Sequence, residues 1–172
     1  MSLIKDGCFV EDPWRHLADD AATGFDFCIS VSLKRWQAER ARLLDSGAAL
    51  GVRLPNDVAP DALAPDLARL ALIVLAFPKF TDGRAYSQAR LLRGRLGYAG
   101  ELRASGEVLR DQLLFMQRCG FDAFAVPERA QGENWLAAFR DFDVFYQPAE
   151  DHRPWLMRLR RAASVTPDFT DL

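Results

Sequence analysis

The chain has 172 residues, 49% of them hydrophobic and 11% aromatic, with a formal net charge of −2. That is enough apolar mass for one domain around one core, and the charge balance argues against a general nucleic-acid binder. No apolar run approaches the ~20 residues that span a membrane.

Taken in chain order, residues 1–27 are weakly periodic and read as an N-terminal appendage. Lys5 is followed by acidic residues without an apolar signal core, so the expected location is cytoplasmic. Phe27–Val31 reads as a short strand. Ser32 then fits the N-cap of a helix bearing Leu33, Trp36, Leu43 and Leu44, with Gly47 as its stop. Leu50–Leu54 reads as a second strand, ended by Pro55. The proline- and aspartate-rich stretch after it reads as a loop, with a short helix carrying Leu67 and Leu70 after Pro65. The run Ala71–Phe77 is apolar without alternation, the pattern of a strand buried on both faces.

From Gly83 the residues Ala85, Ala89, Leu92 and Leu96 keep helical spacing, with Ser87, Arg90 and Arg93 opposite. Glu101–Ala104 is a short strand candidate. Ser105 fits the cap of a helix with two apolar stripes, Leu109, Leu113 and Met116, and Val108, Phe115 and Cys119, which imply a broad buried face. Phe121–Val126 reads as a strand. The next helix carries Trp135, Leu136, Phe139 and Phe142, and Val144–Tyr146 reads as a last short strand. Pro154 opens a basic amphipathic helix with Trp155, Leu156 and Leu159 opposite Arg158, Arg160 and Arg161. Strands alternating with helices predict an α/β domain over residues 28–150. Its mostly parallel sheet is an open sheet or a partial barrel. Residues 151–172 form a basic helix and tail.

Two strand-to-helix loops carry the polar chemistry. One is Phe77–Ser87, the other Arg103–Glu107. If their strands are parallel neighbours, both open on one edge. Arg84 and Arg103, with Lys79, then lie near helix N-termini, where free amides and guanidinium forks favour a phosphate, sulfate or carboxylate. Tyr86 can stack on a ligand, and Asp82, Glu107 and Asp111 can orient the arginines. A bland reading fits equally: Asp82–Gly83 is ordinary turn chemistry, and Arg84, Arg103 and Arg110 can pair with Asp82, Glu107 and Asp111 in a structural network. As acid or base the candidates are Asp82, Tyr86 and Glu107.

Cys8, Cys28 and Cys119 are isolated, without a C-x-x-C pair, which favours reduced thiols. Cys119 closes a helix on its inward side, a packing position. His16 and His152 lack ligand spacing, so no metal site is expected. Neither a P-loop nor a dinucleotide fingerprint occurs, and no cofactor is evident.

The block from Phe77 to Phe124, with its runs DGR-x-YS-x-A-x-LLR, GELRA-x-G and VLRDQ-x(5)-RCGFDAF, resembles the bacterial family called domain of unknown function 934. The motif positions are Phe77, Pro78, Phe80, Asp82, Gly83, Arg84, Tyr86, Ser87, Arg103, Gly106, Arg110, Asp111 and Cys119. Glu107 stands where the family often has aspartate, which relaxes a strict geometric role there. Candidate ligand-binding positions are Lys79, Arg84, Tyr86, Ser87 and Arg103, together with Ser105, Gly106, Arg110 and Asp111. The family has no established reaction. Its members commonly carry an oxidoreductase label through association with sulfite reductase and phosphoadenylylsulfate reductase genes. The resemblance therefore implies a sulfur-assimilation context. Two function classes follow: an accessory protein binding an anion, a sulfonucleotide or a reductase, and an enzyme acting on a small sulfur or phosphate compound. Self-association stays open.

Overall fold

The apolar run beginning at Leu70 forms the longest strand of the sheet, β6 (Leu70–Phe77), in the computed structural model. Residues 1–21, 27–128, 133–151, 153 and 155–163 are described. Ahead of it come β1 (Ser2–Lys5), β2 (Cys8–Val10), β3 (Trp14–His16), β4 (Cys28–Ser32), helix α1 (Leu33–Leu44) and β5 (Leu50–Leu54). After it come α2 (Arg84–Arg90), β7 (Glu101–Gly106), α3 (Leu113–Arg118), β8 (Ala123–Val126), α4 (Glu133–Ala137) and α5 (Leu156–Ala163). Ser32 caps α1 as its sequence suggests, accepting a hydrogen bond from the Arg35 amide. The stretch after Pro55 is more ordered than expected, with a 3-10 helix over Pro60–Arg69.

The eight strands form one sheet in the order β2-β1-β8-β7-β6-β5-β4-β3. From β3 to β8 each strand lies parallel beside its sequence neighbour, and only β1 opposes the others. Strand order never reverses, so the sheet winds one way, as in a β/α barrel, and its right-handed crossovers put the helices on one face. The result is an open half-barrel, the partial-barrel form of the expected α/β class. Residues 1–16, read above as an appendage, supply three of its strands. Their three- and four-residue lengths give too little alternation to see in sequence.

Only Glu11–Pro13 separate the two edge strands β2 and β3. Four residue steps reach at most roughly 14 Å, whereas a flat sheet would hold these edges roughly 34 Å apart. The sheet must therefore curl. Its convex face carries Ile29, Val52, Ile73, Leu75, Phe77, Leu102 and Phe124 into one core with Trp36, Ala85, Leu92 and Met116. Alternate positions face the concave side, where Arg53, Val74, Arg103, Ala123 and Lys5 stand at one level of the register. Among the described residues, no helix is long and apolar enough to cross a membrane. His152, Pro154 and the tail beyond residue 163 lie outside the described residues.

Candidate functional site

β6 and β7 end together, with Phe77 opposite Gly106, so the two polar loops leave from the same edge of the sheet. In a barrel-type sheet this C-terminal edge is where sites are built. Gly106 has φ +98, and a Cβ there would run into the Phe77 carbonyl oxygen. The glycine lets the Glu107 amide bond that carbonyl at 2.8 Å. The loops are then tied across. The Phe80 amide donates to Glu107 Oε2 at 3.0 Å, and Gln112 Nε2 donates to the Phe80 carbonyl at 3.1 Å. Asp82 accepts a guanidinium fork from Arg84, with Nε at 3.0 Å and Nη2 at 2.7 Å, and a hydrogen bond from Asn56 Nδ2 at 2.8 Å. The bonds from Arg84 hold its carboxyl well below the usual range. Asp82 thus ties in the loop after β5, and three successive loops form one preorganised end.

The sequence candidates divide three ways. Asp82, Arg84, Tyr86, Gly106 and Glu107 do assemble at this end. Lys79, Ser87 and Asp111 are exposed around it. Tyr86 packs between Phe77 and Phe115, ring centroids 5.1 and 4.8 Å away, and burial pushes its hydroxyl up to about 12. Arg110 turns away: its Nε donates to the Asn134 carbonyl at 2.8 Å, and Asp141 lies 3.4 Å off. Arg103 is elsewhere. The pairs Ala76–Ser105 and Phe77–Gly106 carry β7 two residues past Ala104, so Ser105 is a strand residue rather than a helix cap, and alternation drops Arg103 onto the concave face, 1% exposed. The helix after β7 starts late, with a 3-10 turn at Arg110–Gln112 and then α3. That shift buries Leu113, Leu114 and Met116. It leaves Leu109 and Phe115, both expected inside, 38% and 56% exposed. With Phe80, 47% exposed, three large apolar side chains stand open on the tied loops and the first turn of α3.

A second cluster escaped the sequence reading. On the concave face Arg103 donates to Glu101 Oε1 through Nε at 2.9 Å and Nη2 at 2.7 Å, and to Asp12 Oδ2 through Nη1 at 2.7 Å. Lys5 donates to Glu101 Oε2 at 2.7 Å. His16 Nε2 lies 3.2 Å from Asp12 Oδ2, and its Nδ1 lies 2.5 Å from the Ser30 hydroxyl. Burial pushes the Asp12 carboxyl up, but hydrogen bonds from Arg103, the Trp14 amide and His16 outweigh it, and the net shift is downward. The available signal was alternation: Arg53 within Leu50–Leu54, and Glu101 and Arg103 beside Leu102 and Ala104, mark one polar face per strand.

Two cavities lie apart from the motif loops. One of about 550 Å³ sits at the opposite end of the sheet, against Arg93, Tyr98, Asp122 and Asp151. The other, about 790 Å³, lies beside β1 and β2 against Leu3, Phe9, Val10 and Asp12. Among the described residues no group of three or more His, Cys, Asp or Glu is placed to hold a metal ion. Cys119 is buried, which pushes its thiol up to about 11. No curated protein matches the chain. A family model described as "Bacterial protein of unknown function (DUF934)" matches residues 51–156, more than half of the chain and both tied loops, and the chain belongs to that family.

Proposed function

We propose that this protein is an accessory binding protein of assimilatory sulfate or sulfite reduction, which docks a reductase through the motif end of its half-barrel. The observation that carries the reading is the exposure of Phe80 and Leu109 on loops tied to one another, with Phe115 beside them at the start of α3. Exposed aromatic groups on a preorganised surface are what protein interfaces use as anchors. Lys79 adds an exposed cation at this end, and Arg84 stands paired with Asp82, so the rim carries charges of both signs for a polar partner surface. The sulfur context comes from the family resemblance of the motif block. Asp82 and Glu107 are engaged in holding the loops, and Tyr86 keeps its proton far above neutrality, which favours docking over acid–base turnover at this end.

Calorimetric titration against purified sulfite reductase and phosphoadenylylsulfate reductase tests this. Saturable binding to one of them is expected, weakened at least tenfold in Phe115→Asp and in Phe80→Asp, about 1.4 kcal/mol each. In Phe80→Asp folding stability should stay within about 0.5 kcal/mol, as for surface changes generally, whereas Phe115→Asp also loses the contact with Tyr86. Absence of binding to both reductases, or equal affinity in both variants, overturns the reading.

A further inference from the structure

We propose that the concave face of the half-barrel binds a small oxyanion at Arg53. Three permanent cations face this surface, and two of them are neutralised inside the fold. Arg103 has Glu101 and Asp12, and Lys5 shares Glu101. Among the described residues, Arg53 hydrogen-bonds to neutral oxygens and to no carboxylate. Its Nη2 donates to the Leu17 carbonyl at 2.7 Å, and its Nη1 lies 3.2 Å from the Ser30 carbonyl and 3.5 Å from the Ser30 hydroxyl. Among the described residues its Nε has no acceptor, so that N–H remains open beside an Nη2 already bonded to Leu17. Asp19 acts on Arg53 from beyond ion-pair distance, and that carboxylate is already engaged by the Ser32 hydroxyl at 2.6 Å.

A partly buried guanidinium without a counter-ion is costly to hold, and the cost falls when an anion arrives. Burial lowers the proton affinity of Arg53, the same cost seen from the proton's side. An open guanidinium N–H suits an oxygen of a sulfate, phosphate or carboxylate. A purely mechanical role is the competing account: Arg53 braces Leu17, as Arg35 braces Ala18 and Ala21 through their carbonyls. The two accounts differ in whether the open edge takes a ligand. His16 is a built-in reporter, because its ring and the Arg53 guanidinium meet at the same Ser30 hydroxyl, and its side chain is 40% exposed. The proposal stands or falls independently of docking at the motif loops.

The test is a titration of the full chain with inorganic sulfate, phosphate and acetate at fixed pH. Ionic strength is held with chloride. It is followed by calorimetry and by the histidine ring resonances. Saturable binding of at least one anion should move the His16 signals and leave those of His152 in place. Arg53→Gln should weaken that binding at least tenfold, with Arg69→Ala, on the far 3-10 helix, unchanged. If Arg53→Gln does not fold, the wild-type His16 titration decides alone. A His16 signal that does not saturate with any of the three anions, or an undiminished affinity in folded Arg53→Gln, overturns the proposal. Sulfate and phosphate binding without acetate selects tetrahedral oxyanions, and acetate binding extends the class to carboxylates.

Discussion

On its convex side the sheet presents Ile29, Val52, Ile73, Phe77 and Leu102 to the helices; on its concave side the alternate residues are Ser30, Arg53, Arg103 and Lys5. The convex face is held by burial, which is non-directional and tolerates many apolar sequences. The concave face adds to buried Leu72, Val74 and Ala123 a set of directional charge pairs, and these tolerate almost no change of partner. A winding β/α topology creates this difference, because it delivers helices to one face and leaves the other to be closed by the chain's own N-terminal strands. The face without helices is then free to carry chemistry.

The largest effect should follow from cutting the convex core. Phe77→Ala removes a fully buried ring that also touches Tyr86 and Phe121, and should cost about 3–5 kcal/mol in urea denaturation. On the concave side Arg103→Met leaves Glu101 to Lys5 and Asp12 to His16 and the Trp14 amide, with an expected loss of about 3 kcal/mol. Glu101→Leu added to Arg103→Met should recover part of that loss. No recovery would mean that the face is held by packing, as the convex one is, and would erase the distinction between them. Gly106→Ala forces a side chain onto a left-handed backbone, which alone costs roughly 1–2 kcal/mol, and drives it into the Phe77 carbonyl, so the loss should exceed that figure.

The mildest probe is pH. Asp66 is held low by the hydrogen bonds from Arg40, which outweigh its burial, and Asp82 is held low by Arg84. Asp12 is held low as well. In the unfolded chain such carboxyls take up protons near pH ~4. Below that point the unfolded state binds more protons than the fold, so the stability from these pairs is complete above pH ~4 and fades as pH falls further. A melting temperature that falls on acidification below pH ~4, and falls less in Asp66→Asn, is the expected pattern.

The convex face was legible because its signal is local. The run Ala71–Phe77, the stripe of Leu33, Trp36, Leu43 and Leu44, and the spacing of Ala85, Ala89, Leu92 and Leu96 each mark a buried surface within one element; Leu44, Ala76 and Leu96 are half-buried, Ala71 is exposed and the rest are buried. The shared edge of the two loops stood in the sequence only as a condition, because which strands are neighbours is a tertiary fact supplied by the pairing of β6 with β7. Arg103 was misplaced because the extent of β7 is set by pairing with β6, a tertiary fact. The exposure of Phe115 follows from the same two residues of extra strand. The concave network was beyond reach, since Asp12 and Arg103 are 91 positions apart and nothing local to either announces the other.

The most direct measurement is a hydrogen–deuterium exchange footprint of the protein in complex with the reductase it binds. The expected result is slowed exchange in 78–86 and 106–116, the two tied loops and the start of α3. The C-terminal strip 142–159, which exposes Phe142, Val144, Tyr146, Met157 and Leu159, should exchange as in the free protein. Protection confined to that strip, with the loops unchanged, would contradict docking through the motif end.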